Sequence, residues 1–294
     1  MSAPRPLTPQ DIYTSSAFNP TSLSIYNLGV YTEADYLLYA ISNVQHELLF
    51  LRLYKNRDGL EVSQFVEQVW QQDEFLRKRH GNVLWLTDSD KWMVVPAEFV
   101  PDGQEAEYIH AYYEYTPSNL QKFYHIRKEI WKPSSVAFLY LLPLPLHEYL
   151  QVRGWAPHHI AFRYVQLSQH LLQQYSQLPY GGIVWLFLGS FYYVLFAGEM
   201  LAFVNKFHAA TAEDVLYYVQ GLHNLLGIDK TRVHISVAGY SGLKPYVATV
   251  FYRFFTNGYK DLSKLYPTPP TLREVGIGME DILPFTFVGA DSAG

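Results

Sequence analysis

The apolar positions of this chain change period several times, and the changes mark its elements. Residues 23–28 alternate like a short strand. A second strand falls within 33–41, rich in Tyr and Leu. A third spans 46–54, where Leu49, Leu51 and Leu53 alternate with Phe50, Arg52 and Tyr54. Asn56-Arg57-Asp58-Gly59 is a turn signal. The period then becomes helical: Val62, Phe65, Val66, Val69 and Trp70 share one face. Residues 83–86 form the next strand. Asp88-Ser89-Asp90 turns the chain into 92–95, which Pro96 closes.

The second half repeats that order. Residues 183–188, 191–197 and 201–207 read as an antiparallel meander with turns at Gly189-Ser190 and Gly198-Glu199. Val215, Tyr218, Val219, Leu222 and Leu226 restore the helical period. Thr211 and Asp214 form a capping-box start, and Gly227 stops the helix. Residues 233–237 are a strand ending in Ala238-Gly239-Tyr240-Ser241-Gly242, and a helix follows over 243–255. Each half therefore reads strand, strand, strand, helix, strand. That is the order of a ribonuclease-H-like unit, and two such units make an actin-like ATPase fold. The expected class is α/β, with two domains of mixed sheet and an interdomain cleft. The helix of each crossover packs on one face of its sheet.

Between the halves, 123–130 and 136–141 are strand-like, 146–152 is a short helix, and 159–177 is largely helical. The expected division is an extended arm over 1–20, domain I over 21–156, domain II over 157–266 and a loop-like C-terminal segment over 267–294, rich in proline. No leader pattern of basic residues and apolar run opens the chain. The apolar stretch 183–197 is shorter than the roughly 18 residues a spanning helix needs and is split by Gly189-Ser190, so it reads as a buried hairpin.

Composition narrows the chemistry. Of 294 residues, 17% are charged and 49% apolar, which excludes a disordered chain. The 22 Lys+Arg against 27 Asp+Glu give −5, a poor balance for a nucleic-acid partner. There is no cysteine, so thiolate metal sites, disulfides and cysteine nucleophiles are excluded, and a reducing, cytoplasmic setting fits.

The segment Phe203-Val204-Asn205-Lys206-Phe207, followed by Thr211, Glu213, Asp214, Leu216, Tyr217 and Tyr218, resembles the signature of a bacterial family known only as domain of unknown function 3822. Val94-Val95-Pro96 and the strand into Gly239 are similar too, and the resemblance runs from about residue 23 to 265. It implies an actin-like ATPase fold with a more distant likeness to the pilus-assembly protein PilM. It implies no activity.

An actin-like fold would hold ATP and Mg²⁺ with an Asp-x-Gly pattern at the first hairpin of each domain. Mg²⁺ needs hard oxygen ligands. The first hairpin is expected at Asn27-Leu28-Gly29, where Asn brings no charge. The second is Phe187-Leu188-Gly189-Ser190, where Phe replaces the acid. Asn27, Gly29, Gly189 and Ser190 are thus candidate remnants of a nucleotide site, with Gly239, Ser241 and Gly242 standing where the fold places its adenosine-contacting glycines. Phosphoryl transfer depends on positioning and metal-centred charge, so the missing acids argue against catalysis. Hairpin turning alone also explains both glycines.

Other constellations have simpler readings. Gly239-Tyr240-Ser241-Gly242-Leu243 fails the nucleophile-elbow pattern at Leu243. His147-Glu148 has Gln151 where a zinc motif needs histidine, and His158-His159 on a strand point to opposite faces. Glu213-Asp214 suits a helix first turn, and Asp88 and Asp90 flank a hairpin turn between the strands at 83–86 and 92–95. Glu105 and Glu107 read as a solvated acidic rim. The groups Tyr108, Tyr112, Tyr113 and Tyr115, then Tyr192-Tyr193 and Tyr217-Tyr218, fit either a two-sided core or a protein interface. The reading is a non-catalytic scaffold or adaptor with no metal, binding an unknown protein partner or a second copy of itself. The alternatives are an ATPase or phosphotransferase using acids not yet located, and a small-molecule binder using the cleft.

Overall fold

The computed structural model describes residues 7–113, 120, 122–175, 179–256, 258–265, 268–274 and 277–286. Contacts divide the chain into two units: Met1–Ile160 with Phe285–Gly294, and Ala161–Pro284. The chain thus returns to unit 1 at Phe285.

Unit 1 contains β1 (Gln10–Thr14), β2 (Asn27–Thr32), β3 (Tyr36–Ser42), β4 (Leu48–Lys55), helix α1 (Val62–Gln72) and β5 (Asn82–Thr87). These are followed by β6 (Trp92–Pro96), α2 (Glu105–Tyr113), β7 (Tyr124–Trp131), β8 (Val136–Pro143), α3 (Leu144–Gln151) and β9 (Pro157–His159). The main sheet has the order β1-β4-β3-β2-β5-β9, with β2 antiparallel to β3 and parallel to β5. Its core gathers Leu28, Val30, Tyr39 and Trp85 from the sheet, Phe65, Val66 and Val69 from α1, and Leu146 and Leu150 from α3.

Unit 2 contains α4 (Ile160–Leu172, its first residue counted with unit 1), β10 (Tyr180–Phe187), β11 (Ser190–Ala197), β12 (Met200–His208), α5 (Ala212–Leu225) and β13 (Val233–Ala238). α6 (Lys244–Phe254), α7 (Pro270–Glu274) and α8 (Met279–Ile282) follow. The sheet order is β12-β11-β10-β13, with β10 parallel to β13. This is the order β4-β3-β2-β5 over again. Val215, Val219, Val247 and Phe251 cover Val184, Leu186, Ile235 and Val237 on one face. The apolar stretch 183–197 is a buried hairpin, as its length required.

Several expectations change. The expected first strand is a 3-10 turn at Leu23–Ile25, and the strand itself begins at Asn27. All six residues of β2 are buried, so the strand has no alternation to fix its start. Its turn into β3 is therefore Glu33-Ala34-Asp35, not 27–29. The N-terminal arm is partly built into the fold: Gln10 to Thr14 pairs with Leu53 to Phe50 of β4. β6 does not pair with β5, whose two edges are taken by β2 and β9. It joins β8 and β7 in a separate sheet, with its own core of Val100, Ile109, Leu120, Leu139 and Leu141. The C-terminal segment carries the short helices α7 and α8. Tyr115, Pro267 and Gln177 lie outside the described residues.

Candidate functional site

In unit 2, the loop after β13 meets the C-terminal segment. Gly239 has φ +106°, and a Cβ there would run into the Leu186 backbone, so only glycine fits. Leu188 N donates to Tyr240 O at 3.2 Å. That bond ties the β10–β11 hairpin to the loop, so Gly189, Ser190, Gly239, Ser241 and Gly242 collect at one end of the sheet. Ser190 Oγ donates to Phe187 O at 3.2 Å. Ser241 Oγ accepts from Leu243 N at 3.2 Å, a local turn that leads into α6. The hairpin residues Phe187 to Ser190 include no carboxylate.

Carboxylates reach this loop from elsewhere in the chain. Asp281 of α8 accepts from Gly239 N through Oδ1 at 3.0 Å and from Gly278 N through Oδ2 at 2.8 Å. Lys244, the first residue of α6, pairs with Asp281 and with Glu280 Oε1 at 2.7 Å. Both acids are buried. Burial pushes the Asp281 carboxyl up to about 6 against the pull of Lys244. Burial alone would depress the Lys244 ammonium, but Asp281 and Glu280 hold it above its ordinary value. One ammonium thus faces two buried acids. The Gly239 amide, a donor that could have met a ligand, is taken by the protein's own aspartate.

Asn27 and Gly29 lie in unit 1, on β2, and neither is in its turn into β3. Asn27 Nδ2 donates to Asn43 O at 3.3 Å, and its Oδ1 accepts from Asn82 Nδ2 at 2.9 Å. Gly29 sits between Ala40 and Leu84 in mid-sheet. A Cβ there would fall on the Phe285 carbonyl, so the C-terminal segment presses directly on β2.

The β2–β3 turn does carry acids, Glu33 and Asp35. Tyr31 Oη lies 2.9 Å from Glu33 Oε2 and 3.0 Å from Asp88 Oδ2, so its single proton serves one of them at a time. Asp88 follows β5, and its N donates to Thr32 O at 2.9 Å. Another pair stands on β7 and β9: buried Glu129 accepts from His159 N at 3.0 Å and holds His158 Nδ1. His159 is itself buried, with Nε2 3.1 Å from Ser89 O. Among the described residues, no group of three His, Asp or Glu side chains could hold a metal ion.

Sequence reasoning missed Lys244 and the adjacent acids Glu280 and Asp281, which lie 36 and 37 residues further along the chain. Lys244 reads as an ordinary helix start. Of the tyrosine groups, Tyr192 and Tyr193 are core, while Tyr217 is exposed and Tyr218 partly so.

Residues 15–257 match the family model described as "Protein of unknown function (DUF3822)". The chain belongs to this family. No curated protein matches it. Among solved structures, this family member is similar to a protein from Bacteroides thetaiotaomicron "with actin-like ATPase fold and unknown function". The TM-score is 0.68 at 14% identity, covering 83% of this chain and 93% of that one. It is also similar to a chain of the "PilM-PilN type IV pilus biogenesis complex", with TM-score 0.55 and 14% identity, covering 90% and 98%. At these identities the likeness concerns the fold, which is that of the actin-like ATPases. No helix among the described residues is long and apolar enough to cross a membrane.

Proposed function

We propose that this DUF3822 member is a non-catalytic scaffold built from two ribonuclease-H-like units, working in the cytoplasm and binding a protein partner. The observation that carries this reading is the loop of unit 2. Its hairpin, Phe187-Leu188-Gly189-Ser190, has no acid to anchor Mg²⁺, and Asp281 already occupies the Gly239 amide. Lys244 is neutralised by Glu280 and Asp281. An ATP phosphate brought to this loop would meet two carboxylates, which repel it. The residues present in unit 2 therefore do not fit ATP–Mg²⁺. For the partner, support comes from exposed apolar side chains on unit 2, Tyr217, Leu225, Tyr246 and Tyr252. The PilM neighbour is itself part of a complex.

One observation favours a second reading. Glu33, Asp35 and Asp88 stand at the end of β2 and β5 in unit 1, so that unit keeps acids a phosphotransferase could use. Phosphate release from ATP with Mg²⁺ separates the two. The scaffold reading expects release no faster than in a sample lacking protein. Turnover that disappears in Asp88→Asn would establish the enzyme instead.

A further inference from the structure

Two histidines from different elements of unit 1 meet face to face. β7 packs Tyr124 and Ile126 against the core of the three-stranded sheet, so alternation sends His125, Arg127 and Glu129 to its other side. α3 packs on α1, β7 and β8. It seats Leu146 and Leu150 in the core of the main sheet and sets His147 against His125. The two rings stack with centroids 3.6 Å apart and planes 3° apart. The small sheet and α3 are thus joined through a pair of imidazoles.

A stack this close suits neutral rings, because two imidazoliums would be like charges in contact. No carboxylate stands ready to offset them. Among the described residues neither histidine is in an ion pair, and His147 Nδ1 is buried with no hydrogen-bond partner. The charged groups that face the pair are Arg127 on β7 and Glu148 on α3. Glu148 is exposed, so solvent screens it. β8 brings no charged residue, only Tyr140 beside Arg127. The one charged residue of α1, Glu67, lies near Tyr149 and Arg153. Glu129 is taken by His158 and the His159 amide. Burial depresses His125 below 6.5, and His147 and Arg127 add to the effect. Burial and Arg127 depress His147 against the pull of Glu148. Groups depressed in this way favour the closed arrangement above pH 6.5, and that preference is lost as pH falls.

We propose that the His125–His147 stack is an acid-sensitive latch, closed while both rings are neutral, that parts α3 from β7 when they take protons.

Amide hydrogen exchange of the full chain at pH 7.5 and pH 5, corrected for the intrinsic pH dependence of exchange, tests this. On acidification, α3 and β7 are expected to lose protection severalfold more than β3 and β4 of the main sheet. His147→Phe keeps a ring in the stack that takes no proton, and should shrink that excess loss. The double variant His125→Phe, His147→Phe should abolish it. Should the phenylalanine variants fail to fold, Arg127→Gln, which removes the cation facing both rings, must shrink the excess. A wild-type loss no larger in α3 and β7 than in β3 and β4 overturns the proposal. So does an excess that is undiminished in the double variant or in Arg127→Gln.

Discussion

Two buried groups in unit 2 give stability opposite dependences on pH. His223 of α5 is 2% exposed, and its Nε2 lies 2.7 Å from Tyr193 Oη. Burial depresses its pKa to about 4 from 6.5. A depressed histidine favours folding above the unfolded value, and that stability is lost as pH falls through 6.5 towards 4. The loss amounts to about 3 kcal/mol at most, at roughly 1.4 kcal/mol per unit. Urea unfolding at pH 7 and pH 4.5 should show this acid loss in the wild type and a flatter profile in His223→Gln. Asp281 runs the other way. Its folded pKa, about 6, lies above the usual 3.8. Its contribution is full below about 4 and lost as pH rises through 6. Asp281→Asn, which keeps the shape and removes the charge, should therefore become more stable relative to wild type between pH 5 and pH 8. A gap between the two proteins that stays constant with pH would contradict the assignment. Neither residue was legible as special from the sequence. His223 lies within a helical run, and Asp281 within a segment that reads as loop.

The C-terminal segment is the element on which most turns. Within unit 1, the Phe285 carbonyl rests where a Gly29 side chain would be. Gly29→Ala should therefore cost about 1–3 kcal/mol by overpacking and expose the Phe285 amide to faster hydrogen exchange. A urea midpoint and an exchange rate equal to wild type would show that the segment is not seated on β2. Other elements show why parts of the fold were readable and parts were not. α5 announced itself: Asp214 N donates to Thr211 Oγ1 at 3.1 Å and Thr211 N to Asp214 Oδ2 at 2.9 Å, the capping box its spacing foretold. The β10–β11 hairpin was readable because Gly189 and Ser190 split one apolar run. β2 was not, because a strand buried on both faces has no alternation of buried and exposed positions to set its register. The misplaced start moved the expected turn to 27–29 and hid Glu33 and Asp35. β6 was misassigned because sequence adjacency favours pairing with β5, while the edges of β5 were filled from distant segments.

At the scale of the whole molecule, the recurrence of one strand order in both units was legible, since the meander, helix and strand repeat in the apolar periods. The family followed from residues along β12 and α5. The state of the phosphate-type loop was only half legible. The absence of an acid at Phe187 could be read directly. That Asp281 and Glu280 come back to cap Gly239 and Lys244 could not, because such contacts depend on how a distant segment folds. This loop meets the protein's own carboxylates at Gly239 and Lys244, and the scaffold proposed above requires that it take no nucleotide. Thermal melting of the full chain with millimolar ATP and Mg²⁺ tests it most directly. The melting temperature should equal that without nucleotide; a saturable rise with ATP–Mg²⁺, lost on Lys244→Gln, would show that the loop is a nucleotide site.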